Sequence, residues 1–169
     1  AQFFGDRVGR ITAAGTVTQF SRGINAGSGP RGVAAGPDGN VWFTQVNTDR
    51  IGRITPAGRV TEFSRGISAG AAPQFITAGP DGNLWFTEPG VKGIARITPD
   101  GAVREFTTGI TSAPEFITAG PDGNLWFTEP GSDSIGRITP TGKVREFTRG
   151  ITAGSAPWDI TAGPDGNLW

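Results

Sequence analysis

Gly79-Pro80-Asp81-Gly82-Asn83-Leu84-Trp85 is a tight-turn tetrapeptide run directly into an apolar segment, the pattern by which a hairpin announces the strand that leaves it. The stretch, with Val41 in place of Leu in the first copy, occurs four times, at 36–42, 79–85, 120–126 and 163–169. Successive copies lie 43, 41 and 43 residues apart, the period expected of one four-stranded propeller blade. A unit of that length cannot bury a core singly, so each copy needs neighbours on either side.

Working outward from the turn, Val41–Thr44, Leu84–Thr87 and Leu125–Thr128 are predicted as the second strand of each blade. Adjacent Leu, Trp and Phe point to opposite faces of a strand, so both faces must be covered, as they are when a blade is sandwiched between two others. Before the turn stand Val33-Ala34-Ala35, Phe75–Ala78, Phe116–Ala119 and Asp159–Ala162. Their small residues suit the innermost strand, where blades converge and space is least. The other half of the repeat is a hairpin: Arg7–Thr12 with Thr16–Phe20, Ile51–Thr55 with Val60–Phe63, Ile94–Thr98 with Val103–Phe106, and Ile135–Thr139 with Val144–Phe147. Turns such as Pro99-Asp100-Gly101 put Pro where φ near −65° is wanted and Gly where φ is positive. Glu62, Glu105 and Glu146, two of them preceded by Arg104 and Arg145, read as charge that defends an outermost edge.

A Gly-rich link ending in Pro30, Pro73, Pro114 or Pro157 leads back to the next inner strand. It is two residues shorter before Pro114, which accounts for the single 41-residue interval and places the irregularity in a surface loop. The chain divides as 1–23, the outer hairpin of a shared blade; 24–66, 67–109 and 110–150, three whole blades; and 151–169, the inner hairpin of the shared blade. The reading is all-β, a β-propeller of four-stranded antiparallel blades with four blades per chain. A ring of four requires about 90° per blade and a ring of eight about 45°, so complementary half-blades at the two ends predict a homodimeric ring of eight.

Fifteen basic residues balance fifteen acidic ones, so no net field draws in nucleic acid or a membrane surface. The apolar runs are too short for a transmembrane span, and the first residues do not resemble a signal peptide, so a soluble chain is expected, its compartment unspecified. There is no Cys, His, Met or Tyr, which removes thiol nucleophiles, imidazole bases and Cys/His zinc sites together. With 28 Gly and 13 Pro spread through every repeat, no window supports an amphipathic helix.

The segment Ile-Thr-Ala-Gly-Pro-Asp-Gly-Asn-Leu-Trp-Phe-Thr-Glu, at 76–88 and 117–129, together with Ile-Gly-Arg-Ile-Thr beginning at Ile51 and Ile135, resembles the blades of the virginiamycin B lyase (streptogramin lyase) family over essentially the whole chain. The resemblance implies a seven-bladed propeller in full-length members. It also implies opening of the streptogramin B ring by elimination, with a histidine base and a magnesium ion. No position here can inherit the base, and Glu88 and Glu129 match a repeat position to which no role is carried.

Three sets of residues are candidates for sites. Asp38, Asp81, Asp122 and Asp165 offer too few oxygens for calcium and read as turn residues bonded to local backbone. Arg10, Arg53, Arg96 and Arg137 read as a structural ladder paired with Glu of neighbouring strands, an anion-binding ring being the lesser alternative. The copies disagree most immediately after the Pro that precedes the inner strand, where Arg31, Gln74, Glu115 and Trp158 stand. In propellers that position lies at a channel mouth, so these four are the candidate small-molecule site. Loop-end drift is the plainer reading. Neither a metal nor a cofactor is called for by the residues themselves. The function expected is a non-catalytic propeller repeat protein or fragment, natural or engineered, that self-assembles into a ring. The alternative is a truncated or divergent streptogramin B lyase-like enzyme, or a ligand-binding propeller using the channel mouth.

Overall fold

The structure is a computed structural model that describes residues 1–169. Fourteen strands follow one another: β1 (Val8–Ile11), β2 (Val17–Phe20), β3 (Pro30–Ala35), β4 (Val41–Gln45), β5 (Arg50–Ile54), β6 (Val60–Phe63), β7 (Ile76–Ala78), β8 (Leu84–Glu88), β9 (Gly93–Ile97), β10 (Val103–Phe106), β11 (Ile117–Ala119), β12 (Leu125–Glu129), β13 (Ser134–Ile138) and β14 (Val144–Phe147). They form three four-stranded antiparallel meanders, β3–β6, β7–β10 and β11–β14, preceded by the two-stranded sheet β1–β2. The third strand of each blade begins and ends one residue earlier than the sequence suggests, because a 3-10 turn delivers the chain into it. That turn closes on a left-handed residue, Asp49, Lys92 or Asp133.

The inner strands β3, β7 and β11 lie side by side, and apolar layers fill the space between successive sheets. Leu84, Trp85 and Phe86 are all fully buried, so the expectation that both faces of this strand are covered holds. Each turn before the second strand is locked by its own side chains. In the first, Gly39 takes φ of 75°, and Asp38 Oδ1 accepts from the Asn40 backbone N–H at 3.2 Å and from Trp42 Nε1–H at 3.0 Å. The positive φ is why Gly stands there. The indole so oriented stacks on the aromatic ring of the fourth strand: Trp42 on Phe63, Trp85 on Phe106 and Trp126 on Phe147, with centroids 5.3–5.4 Å apart.

Two charge assignments from the sequence need correction. The arginine ladder pairs with the turn aspartates, not with strand glutamates: Arg53 Nη1 lies 3.7 Å from Asp38, Arg96 Nη1 3.4 Å from Asp81 and Arg137 Nη1 3.5 Å from Asp122. Register explains this, since Arg53, Arg96 and Arg137 stand opposite Trp42, Trp85 and Trp126, whose indoles reach the same carboxylates. Arg53 and Arg96 also donate across to Pro99 and Pro140 carbonyls of the next blade. The outer-strand glutamates, for their part, do not face solvent. Arg104 lies along the Phe106 ring on one face of β10, and alternation turns Glu105 to the other face, onto the preceding loop.

The two half-blades do not pair within one chain. β1 has only β2 as a neighbour, the terminal hairpin shows only an isolated bridge between Ala162 and Leu168, and Trp169 is 73% exposed. One chain is therefore an open arc.

Candidate functional site

A threonine next to the end of the second strand helps to place Gln74 and Trp158. Thr44 Oγ1 accepts from the Gly32 N–H at 2.8 Å within its own blade and donates to the Gln74 carbonyl of the next at 2.6 Å. Thr128 does the same between the Phe116 N–H and the Trp158 carbonyl, at 3.1 and 2.8 Å. Gly32 allows the closest approach, since a Cβ there would fall 2.5 Å from the Gln74 carbonyl oxygen. A hydroxyl shared between blades thus ties Gln74 to the first blade and Trp158 to the third, while Thr87 accepts only from the Phe75 N–H of its own blade.

Arg31, Gln74 and Glu115 are brought to the heads of adjacent inner strands, with an aromatic pair beside Arg31. The Arg31 guanidinium lies 5.0 Å from the Phe75 ring centroid, and Phe75 stacks on Phe116 at 3.8 Å. Gln74 Oε1 and Glu115 Oε2 are buried without a hydrogen-bond partner. Burial pushes the Glu115 carboxyl up, and the Arg31 charge only partly offsets it. Trp158, at the head of the terminal hairpin, is half-exposed, and the next inner strand stops at an isolated bridge. A magnesium ion, which the family resemblance implies, does not suit this donor set: the mouth offers a single carboxylate with an arginine in its field, and nowhere in the chain are three or more His, Cys, Asp or Glu side chains disposed to hold a metal ion.

The sequence reading assigned no role to a second buried layer just beneath the mouth. Gln45, Glu88 and Glu129 end the second strands and are fully buried. Neither Glu88 oxygen has a hydrogen-bond partner, and burial first, then the neighbouring Glu105 and Asp49 charges, push its carboxyl up to about 9. Glu129 accepts from the Ser112 N–H and Ser134 Oγ–H, both at 3.1 Å, and is pushed up to about 7, by burial first and then by Glu146. The signal was a glutamate at the end of a strand apolar on both faces, opposite Gly93 or Ser134.

At the other end of the blades the four turn aspartates are engaged by Asn and Trp donors. Burial raises Asp81, but the Trp85 and Asn83 donors outweigh it and hold the carboxyl below the usual range. These are turn locks.

The family model for virginiamycin B lyases matches residues 1–169. The chain belongs to the virginiamycin B lyase family. Among solved structures, a streptogramin B lyase is 39% identical with a TM-score of 0.90, covering 97% of this chain and 54% of its own. Virginiamycin B lyase from Staphylococcus aureus is 42% identical with a TM-score of 0.91, covering 97% and 55%. A catalytically inactive variant of the S. aureus enzyme, with quinupristin, is 41% identical at 0.91, again covering 97% and 55%. The chain thus spans about half the length of these lyases. A putative gluconolactonase, 16% identical with a TM-score of 0.75, shares the fold. No curated protein matches the chain.

Proposed function

We propose that this chain is a ligand-binding arc of a lyase-type propeller, with Arg31, Gln74, Glu115 and Trp158 lining the mouth. The observation that carries the reading is that Arg31 on its aromatic pair, the unpartnered Gln74 Oε1 and the unpartnered Glu115 Oε2 head adjacent inner strands, in a protein whose repeats are otherwise nearly uniform. Quinupristin, present with the inactive S. aureus lyase, is the ligand to test. Residues 1–169 contain no histidine, so the arc binds without supplying the imidazole base of the lyase reaction. Titration with quinupristin should change Trp158 fluorescence, and Glu115→Ala should weaken the response several-fold. A flat titration refutes the binding reading. Ring opening of quinupristin in the presence of magnesium overturns its non-catalytic part.

A second reading, self-assembly, is favoured by the unpaired ends. Arg10 lies 5.5 Å from the Phe20 ring centroid without a tryptophan beside them, while Trp169 keeps its bond to Asp165 without the arginine and phenylalanine that every complete blade supplies. An apolar cleft of about 210 Å³, lined by Val8, Phe20, Val41 and Ile54 among others, occupies the position that Trp42 fills one blade later. The half-blade of one copy complements that of another, and two copies would form the ring of eight. Light scattering after size exclusion should give twice 17.5 kDa, and Trp169→Ala should return the chain to monomer. A wild-type monomer at high concentration sinks the reading.

A further inference from the structure

The loop that leads into each mouth residue is tied down by a glutamate of the outer strand of the blade it enters. Asn25 N–H donates to Glu62 at 3.0 Å; Ser68 N–H and Oγ–H donate to Glu105 at 2.5 and 2.7 Å; Thr111 N–H and Oγ1–H donate to Glu146 at 2.7 and 3.1 Å. Beneath these ties the three blades differ. In the first, the buried residue is Gln45, and Arg50 Nη1 stands 3.8 Å from Glu62, so a cation and not a second carboxyl accompanies the tie. In the second and third, the buried residue is itself a glutamate. Opposite it, in the place that Arg50 takes across from Gln45, stands Gly93, whose added Cβ would lie 3.4 Å from Glu88 Oε2, or Ser134, so neither blade has an arginine at this position.

In the third blade the consecutive Thr111 and Ser112 N–H groups end on Glu146 and Glu129, which sets those carboxyls side by side with Glu129 buried, and two neighbouring carboxyls so placed hold one proton between them. Around Glu88 the charged groups are Glu105 from β10 and Asp49 from the preceding blade's turn, while Ser68 is the polar partner from the loop. Around Glu129 they are Glu146 from β14 and, through the Thr111 carbonyl, Lys92 of the preceding turn at 3.4 Å; β13 contributes Ser134 and the loop Ser112. Asp133 is turned away, onto the Gly154 and Ala156 N–H groups.

We propose that Glu129–Glu146 is a proton-held latch, which releases the loop before Glu115 when the shared proton leaves. The latch is poised near neutrality, since the Ser112 and Ser134 donors partly offset the burial of Glu129, whereas Glu88, which has no such donors, stays protonated to higher pH. Loss of the proton puts two negative charges under the loop 107–114 and strains the bonds from Thr111 and Ser112. The effect on ligand rests on the mouth reading; the latch itself does not.

Amide exchange of the full chain, expressed as protection factors between pH 5.5 and 8.5, tests the latch directly. Protection at Thr111 and Ser112 should fall at least tenfold across that range, while Asn25, tied over Gln45, should hold steady. Glu129→Gln should abolish the dependence. Constant protection at Thr111 and Ser112, or an equal fall at Asn25, overturns the proposal, and the comparison within one wild-type protein stands even where the variant folds poorly. If quinupristin binds at no pH while the protection pattern is as described, the mouth reading fails and the latch survives.

Discussion

The four tryptophans of the repeat share a sequence context and differ in burial, so truncating each in turn tests the arc directly. Trp85 is fully buried, stacks on Phe106 at 5.4 Å and donates to Asp81 at 3.0 Å. Trp85→Ala removes a large buried aromatic, which costs about 3–5 kcal/mol. Trp169 makes the same bond to its own Asp165, but its ring is mostly in solvent. Its truncation should cost no more than about 0.5 kcal/mol, as for an ordinary surface change. In urea denaturation followed by circular dichroism, with a slope of about 2 kcal/mol/M, the Trp85→Ala midpoint should fall by about 1.5–2.5 M. The Trp169→Ala midpoint should move by a few tenths at most, and Trp126→Ala, partly exposed, should fall between. The protein must be dilute enough to be monomeric. Equal shifts for Trp85→Ala and Trp169→Ala under those conditions would refute the open arc, because the terminal indole would then have to be buried within one chain.

Gly32→Ala should destabilise by about 1–3 kcal/mol, since its Cβ would meet the backbone of the next inner strand at 2.5–3.1 Å and not a flexible side chain; an unchanged melting temperature contradicts the packing of β3 on β7. Asp49 accepts from the Gly70 and Ala72 N–H groups, both at 2.8 Å, so Asp49→Ala should make the 64–73 loop the first site of limited proteolysis and lower the melting temperature by a few degrees; unaltered cleavage argues against that tie. Glu88 keeps its proton up to about 9 in the folded chain, whereas the unfolded chain releases it near 4.5. Stability from this group is therefore fully present below 4.5 and is lost at about 1.4 kcal/mol per pH unit as pH rises toward 9. Urea midpoints of the wild type and Glu88→Gln at pH 5 to 8 should diverge by that slope, and parallel profiles would show that Glu88 ionises normally.

Much of the architecture was legible in the residues because propeller blades are local. A period near 42, a Pro-Asp-Gly-Asn turn and a strand apolar on both faces specify a meander whose hydrogen bonds run between neighbours in sequence, and these features are self-consistent in every copy. The small inner strand and the place of Arg31, Gln74 and Glu115 at the heads of the inner strands followed from the same order of strands. What the residues could not convey is which neighbour a side chain meets once blades stack. Alternation along a strand assigns a face, but the group covering that face comes from a segment some 40 residues away. Hence Arg53 found Asp38 and the Pro99 carbonyl in place of a strand glutamate, and Glu105 turned from the expected solvent edge onto a loop. Hence too Glu88 and Glu129, identical in local sequence, are left with no partner in one case and two donors in the other: Gly93 against Ser134 across the strand, and Ser112 brought within reach by the shorter loop, decide the difference. Local sequence determined the blades; burial and charge at the mouth were decided by contacts between them, where desolvation depends on every surrounding group at once.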